Sequence, residues 1–191
     1  MMALTLDMRA ADLALSEAEF YRLCQANPDL RLELTAEGHL ILMPPTGWET
    51  GNRNFDLAQQ FGNWVKRDGS GLGFDSSTGF RLPNGAIRSP DVAWVLKSRI
   101  EALSPDPNKF LPLCPDFAVE LQSASDTLSA LQAKMQTYLN NGLTLGWLIS
   151  PQDKIVEIYR PEQPVETVPL SGTLSGEPEL PGLQVNLDEI F

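Results

Sequence analysis

The apolar positions along this chain change period several times, and each change predicts an element. "SEAEFYRLCQAN" places Ser16 as an N-cap with Glu19 three residues on, a capping box that opens a short helix. "LRLELTAEGHLILMPP" then alternates, which predicts two strands around a Glu37–Gly38 turn, closed by Pro44–Pro45. In "WETGNRNFDLAQQFGNWVKRDG" the apolar stripe Leu57, Phe61, Trp64 and Val65 has helical spacing, and Gly69 stops it. "LGFDSSTGFRLPNGAIRSPDVAWVL" reads as short strands broken by Gly and Pro, ending in a strand over Asp91–Leu96. A Pro-rich loop, "SPDPNKFLPLCP", leads to a strand over Asp116–Leu121, and a helix over Thr127–Asn140 follows, ending at Gly142. The strands "LTLGWLIS" and "KIVEIYR" are joined at Pro151–Gln152–Asp153, and a late "LQVNL" reads as an edge strand.

The central order is strand, strand, helix, strand, strand. A crossover through the helix 127–140 makes the strands on either side of it parallel. The expected fold is α/β (α+β): a mixed central β-sheet flanked by helices, with an N-terminal β-hairpin. A length of 191 residues fits one domain over 1–191, and 42% apolar residues suffice for a core without disulfides or metals. Cys24 and Cys114 form no CxxC pair, the N-terminus lacks a signal-peptide pattern, and no apolar run approaches the ~20 residues that span a bilayer. The chain is therefore read as soluble and cytoplasmic, with no membrane partner. Its net charge of −11 argues against indiscriminate binding to nucleic acid or to an anionic membrane.

Against this pattern a few polar residues stand out. In "DFAVELQ", Phe117, Val119 and Leu121 share one strand face, while Ala118, Glu120 and Gln122 share the other. Asp91 opens a second apolar strand just after Pro90. If these strands are neighbours, Asp91 and Glu120 converge at one end of the sheet, and buried carboxylates in such a place need a metal or a basic partner. Two acids with a backbone carbonyl and water make a hard oxygen site, suited to Mg²⁺ or Mn²⁺. Lys134 lies at the edge of the stripe Leu128, Leu131, Met135, Tyr138, from where a lysine can carry its ammonium back to the sheet. Each residue also has an ordinary alternative: Asp91 as a turn cap, Glu120 paired with a buried base, Lys134 on a solvated flank. The combination and its order are the signal.

That order, Pro-Asp on one strand and Glu-x-Gln on the next before a helix, resembles the PD-(D/E)XK nuclease superfamily. The blocks "RLELTAEGHLILMPPTGWETGNRN", "GFDSSTGFRLPNGAIRSPDVAWV", "PDFAVELQSASDTLSALQAKMQTYLNNGLTLGWLI" and "KIVEIYRP" together resemble a restriction-endonuclease-like family of short bacterial proteins. The resemblance implies a restriction-endonuclease-like core and a divalent metal, Mg²⁺ or Mn²⁺, held by Asp91 and Glu120. It implies a metal-activated water that attacks a DNA phosphodiester, making the chain an endodeoxyribonuclease. Where the superfamily often has lysine this chain has Gln122, which carries no charge but can hydrogen-bond a water or phosphate. Lys134 is the implied substitute. Glu33, outward between Leu32 and Leu34 on the first hairpin, matches an acidic position that the family places near the site, with a surface glutamate as the ordinary alternative.

The alternative function is a nuclease-fold binding or regulatory module with weak or lost chemistry, motivated by Gln122 and the acidic balance. For the nuclease reading, Arg53, Arg81, Arg88 and Lys134 are expected to gather on one face, and DNA binding to be weak or narrow, because no basic cluster with interleaved aromatics occurs. The resemblance also admits a homodimer, which would present two sites to two strands. Other chemistries fit less well. His39 is the single histidine and no GxSxG elbow occurs; "DGSGLG" lacks the Lys-Ser/Thr of a phosphate loop. The four tryptophans, Trp48, Trp64, Trp94 and Trp147, lie mostly on apolar stripes and read as core.

Overall fold

The crossover frames everything else. In the computed structural model, which describes residues 4–191, the elements run β1 (Leu4–Leu6), α1 (Glu17–Ala26), β2 (Arg31–Leu34), β3 (Leu40–Met43), α2 (Trp48–Asp68), β4 (Gly71–Asp75), β5 (Phe80–Arg81), β6 (Ile87–Arg88) and β7 (Val92–Leu96). They continue through α3 (Lys97–Leu103), β8 (Phe117–Leu121), α4 (Leu128–Asn140), β9 (Leu145–Ser150), β10 (Ile155–Tyr159), β11 (Glu166–Pro169), β12 (Thr173–Ser175) and β13 (Gln184–Asn186). The central sheet has the order β11-β10-β9-β8-β7-β4. The pair β8–β9, bridged by α4, is parallel and the other pairs are antiparallel, so the sheet is mixed, as the pattern predicts.

Local chemistry sets the element ends. Ser16 Oγ accepts from the Glu19 N–H while the Glu19 carboxylate accepts from the Ser16 N–H, the capping box that starts α1. Gly69, at φ 69°, ends α2 in the left-handed conformation that only glycine adopts freely, and its N–H donates to the Val65 carbonyl. Thr127 Oγ1 accepts from the Ala130 N–H and starts α4.

Period-2 alternation splits the core in two. On one sheet face Phe117, Val119 and Leu121 pack with Trp147, with Leu57, Phe61 and Trp64 of α2, and with the β12–β13 ribbon. On the other, Ala118 packs with Met135 and Tyr138 of α4 and with Phe80, Leu82 and Ala86. A second sheet, β1-β3-β2-β6-β5, lays Leu32, Leu34 and Leu40 on Phe20 of α1. Its other face looks toward α4, and that opposition places the site.

Some elements depart from expectation. Residues 97–103, between the expected strand and the Pro-rich loop, form α3; this short helix buries no residue fully, so it writes no apolar period. β1 pairs with β3 and extends the hairpin. "LQVNL" lies in a separate two-stranded ribbon, and the central sheet's edge is β11, whose "ETVP" is too exposed to show alternation. Trp64, Trp94 and Trp147 are core, whereas Trp48 is 87% exposed. Among the described residues no helix is long and apolar enough to cross a membrane.

Candidate active site

Strand register brings the two acids together. Val92 pairs with Val119 in the antiparallel β7–β8 ladder, which sets Asp91 opposite Glu120. The Asp91 N–H donates to the Val119 carbonyl at 3.0 Å, carrying the ladder one residue beyond β7. Pro90 has no N–H, so the ladder cannot continue further on that side. The Leu121 N–H donates to Asp91 Oδ2 at 2.8 Å, and Asn54 Nδ2 of α2 lies 3.4 Å from Oδ1. Glu120, on the strand face that carries Ala118, points under α4.

Lys134 reaches the same place from α4. Leu131, Met135 and Tyr138 turn into the core, and Lys134 stands one turn before Tyr138 at the stripe's edge. Its Nζ is 2.8 Å from Glu120 Oε1 and 2.8 Å from Glu33 Oε1, and its side chain is 11% exposed. The Tyr138 hydroxyl donates to the same Glu120 oxygen at 3.0 Å. Glu33 is not a surface residue. Alternation does turn it away from Leu32 and Leu34, but the face it joins is covered by α4, and it is 2% exposed. Its other oxygen accepts from Arg88 Nη1 at 2.9 Å, and the Ser89 N–H donates to Oε1 at 2.9 Å.

The result is a largely buried network of three carboxylates, Asp91, Glu33 and Glu120, against two cations, Lys134 and Arg88. Burial works to raise Glu33, but Lys134 and Arg88 outweigh it and hold this carboxyl below its ordinary value. Burial also raises Glu120, and there Asp91 and Glu33 add their repulsion against the pull of Lys134, so it is pushed up to about 8. Burial raises Asp91 too, against the Leu121 N–H. Lys134 loses hydration on burial, yet Glu120 and Glu33 raise it well above its ordinary value, so it stays an ammonium. Glu120 is the member of the network left short of positive charge.

The cluster opens on a cavity of about 560 Å³ lined by Asp91, Glu120 and Lys134, with Arg31, Thr46, Thr50, Ser76, Ser123, Ser125 and Asp126 around them. Among the described residues no three His, Cys, Asp or Glu side chains form a ready cage for a metal ion. The donor set nonetheless fits a hard divalent ion: two neighbouring carboxylates short of positive charge, and beside Asp91 the buried Asn54 Oδ1, an oxygen acceptor with no hydrogen-bond partner among the described residues.

A model of the Uma2 family, described as "Putative restriction endonuclease", matches residues 17–188. The chain belongs to the Uma2 family. A crystal structure of a putative nuclease belonging to DUF820 from Anabaena variabilis ATCC 29413 superposes with a TM-score of 0.77 at 19% identity, covering 93% of this chain and 97% of that one. That likeness shows that the two chains share a fold. No curated protein matches the chain.

In this Uma2-family chain, Asp91, Glu120, Lys134 and Glu33 come together and Gln122 does not join them. Gln122 Oε1 accepts from Ser150 Oγ, its Nε2 lies 3.4 Å from the Asp126 carbonyl, and its side chain is outside the cavity lining. The basic residues expected to face nucleic acid are each paired with an acid, and Lys134 and Arg88 meet at Glu33. Arg53 pairs with Glu49, Arg81 with Glu17, and Arg88 is buried against Glu33. Sequence reasoning missed Tyr138 as a partner of Glu120, although its position four residues after Lys134 put both on one helix face. It missed Arg88 as Glu33's partner and Asn54 as Asp91's neighbour, and no local spacing signals either contact.

Proposed function

We propose that this chain is a divalent-metal-dependent endonuclease that hydrolyses DNA phosphodiester bonds. The observation that carries the reading is the Lys134 ammonium 2.8 Å from Glu120, in one cavity with Asp91, inside a Uma2-family fold. Asp91 and Glu120 are the residues that would hold Mg²⁺ or Mn²⁺, with Asn54 Oδ1 within their neighbourhood. When bound, the ion supplies Lewis acidity, making a water acidic and offsetting the charge that grows on the phosphate.

The chain's own residues do the rest. Lys134 presents an ammonium to the attacking water or to a phosphate oxygen, the part a lysine two residues after the glutamate would otherwise take. Glu33 fixes that ammonium from the far side and is itself held by Arg88. Tyr138 orients the Glu120 carboxyl, leaving Oε2 free of these contacts. In this proposal Gln122 takes no part in the chemistry and ties the 123–126 loop to β9.

The test is nicking of supercoiled plasmid with Mg²⁺ or Mn²⁺ by wild type, Asp91→Ala, Glu120→Ala and Lys134→Ala. Wild type cuts and the variants lose activity by at least about a hundredfold; equal cutting by all four overturns the reading. A binding or regulatory module without chemistry is the second reading, favoured by a cavity lining in which Asp29, Asp91, Glu120 and Asp126 outnumber Arg31 and Lys134. It predicts oligonucleotide binding with no product under any of the two ions.

A further inference from the structure

One exposed ridge is unexplained by the fold. Trp48 is 87% and Phe55 69% exposed, although aromatic side chains are normally the first to be buried. They stand seven positions apart on α2, about two turns or ~10.5 Å along one line of the helix. Gly51 lies between them on the adjoining stripe and lines the candidate cavity. A Cβ built on Gly51 meets nothing within 4 Å, so no neighbour within the chain requires glycine there, and its φ is not left-handed. A glycine in a helix interior costs stability relative to alanine, and one use that justifies it is close approach of a ligand.

We propose that Trp48, Gly51 and Phe55 form a stacking platform for unpaired bases of a nucleic-acid strand entering the cavity, so that the substrate is single-stranded or locally opened nucleic acid. This rests on the nuclease reading above and narrows its substrate. The charge on the page favours an unpaired strand over a duplex. Duplex binding is driven by neutralising phosphates, and here the chain carries −11 and the charge of Lys134 is offset by Glu33 and Glu120. Arg31 is the remaining basic residue of the cavity lining. A single strand carries half the phosphate charge of a duplex per unit length, and it offers the base faces that a duplex keeps covered for aromatic stacking. The ridge is continuous with the cavity through Gly51, and hydroxyls such as Thr46, Thr50 and Ser123 stand ready to accept or donate to a sugar-phosphate backbone.

The experiment uses the full chain in metal-free buffer, where nothing is cut, and reads tryptophan fluorescence. Trp64, Trp94 and Trp147 are buried, so quenching by an added strand reports on Trp48. The probes are a single-stranded oligothymidylate of about 12 nucleotides, an abasic strand of the same length and a duplex of the same length. The expected result is quenching by oligothymidylate, little by the abasic strand, and weaker binding of the duplex. By fluorescence anisotropy of labelled oligothymidylate, Trp48→Ala weakens binding about tenfold or more, Trp48→Phe keeps most of it, and Phe55→Ala weakens it less. Unchanged affinity in Trp48→Ala, or equal binding of the abasic strand, overturns the proposal. So does sedimentation showing that Trp48→Ala turns a dimer into a monomer while oligothymidylate binding is unchanged, because the ridge then serves a second copy of the chain. Plasmid nicking separates the two readings. If wild type and Trp48→Ala nick duplex plasmid alike, and oligothymidylate binding is also alike, the nuclease stands and the platform falls. If neither plasmid nor end-labelled oligothymidylate is cut with Mg²⁺ or Mn²⁺ but Trp48-dependent quenching persists, the nuclease reading falls and the platform stands.

Discussion

Replacing Lys134 by Met removes one ammonium and tests the whole network. The side chain is 11% exposed and its Nζ contacts two carboxylates at 2.8 Å, so methionine keeps the stem's packing and deletes only the charge and its donors. After the change Glu33 retains Arg88 and the Ser89 N–H, while Glu120 retains only the Tyr138 hydroxyl. Breaking a buried ion pair from one side costs about 3–5 kcal/mol, and that is the expected loss at about pH 8. The loss depends on pH with a definite sign. Without the ammonium both carboxyls hold their protons to higher pH, so the folded variant binds more protons than folded wild type, while the unfolded chains differ little. The variant's deficit therefore shrinks as pH falls, by up to about 1.4 kcal/mol per pH unit for each extra proton. Urea unfolding at about pH 8 and about pH 5.5, followed by far-UV circular dichroism, measures both quantities. A Glu120→Gln/Lys134→Met double variant, which removes the stranded acid and leaves the Glu33–Arg88 pair intact, recovers part of the loss at the higher pH. A deficit below about 1 kcal/mol, or one that does not change with pH, refutes the assignment of Lys134 as the counter-ion.

Glu120, pushed from an ordinary 4.5 to about 8 by burial, holds in the folded state a proton that the unfolded chain gives up, so its contribution to stability is full below 4.5 and is lost as pH rises through about 8. Because Mn²⁺ binding must displace that proton, its affinity measured by calorimetry rises by up to about tenfold per pH unit toward pH 8 and then levels, and Asp91→Ala abolishes it. Gly71→Ala drives a Cβ to 2.1 Å from the Trp94 ring, a rigid neighbour in the aromatic core, and lowers stability in urea by about 1–3 kcal/mol. Gly62→Ala, with open space around its Cβ in the middle of α2, raises stability by about 0.5–1 kcal/mol in the same assay. Gln122→Lys does not restore nicking to Lys134→Met, because a side chain at position 122 meets Ser150 and its partner Asp153 rather than the cavity.

The fold was legible wherever one apolar face had to be buried. α1, α2 and α4 each carry a cap at a residue whose chemistry is local, and β8 and β9 are nearly all apolar because both faces of the central sheet are covered. The parallel pair followed from the crossover alone. α3 and β11 were hidden for the opposite reason. Neither buries a full stripe, and their positions are set by tertiary neighbours: α3 continues directly from β7, and β11 by pairing with β10 over Ile155–Ile158.

The site divides along the same line. Asp91 and Glu120 could be read because an acid at the end of an apolar strand breaks a local rule, and register then does the rest. Glu33 breaks no local rule. Polar-out alternation on a hairpin is what a half-exposed strand shows, and nothing within β2 reveals that α4 will cover its outer face. Lys134 is intermediate: its helical phase set it at the stripe's edge, but only the crossover fixes where that edge points. Gln122 misled for a geometric reason. Its N–H still donates to the Ile149 carbonyl at 2.9 Å, so the β8–β9 ladder runs on and its register sets Gln122 beside Ser150, whose hydroxyl takes the amide oxygen; the side chain stays on the same strand face as Glu120 but is tied to β9 instead of lining the cavity. The lysine supplied by α4 is held between Glu33 of β2 and Glu120 of β8. On the proposed reading, an ammonium carried on a helix is held still by a second carboxylate, which gives Glu33 and its partner Arg88 a reason to be buried beside a cavity they do not line.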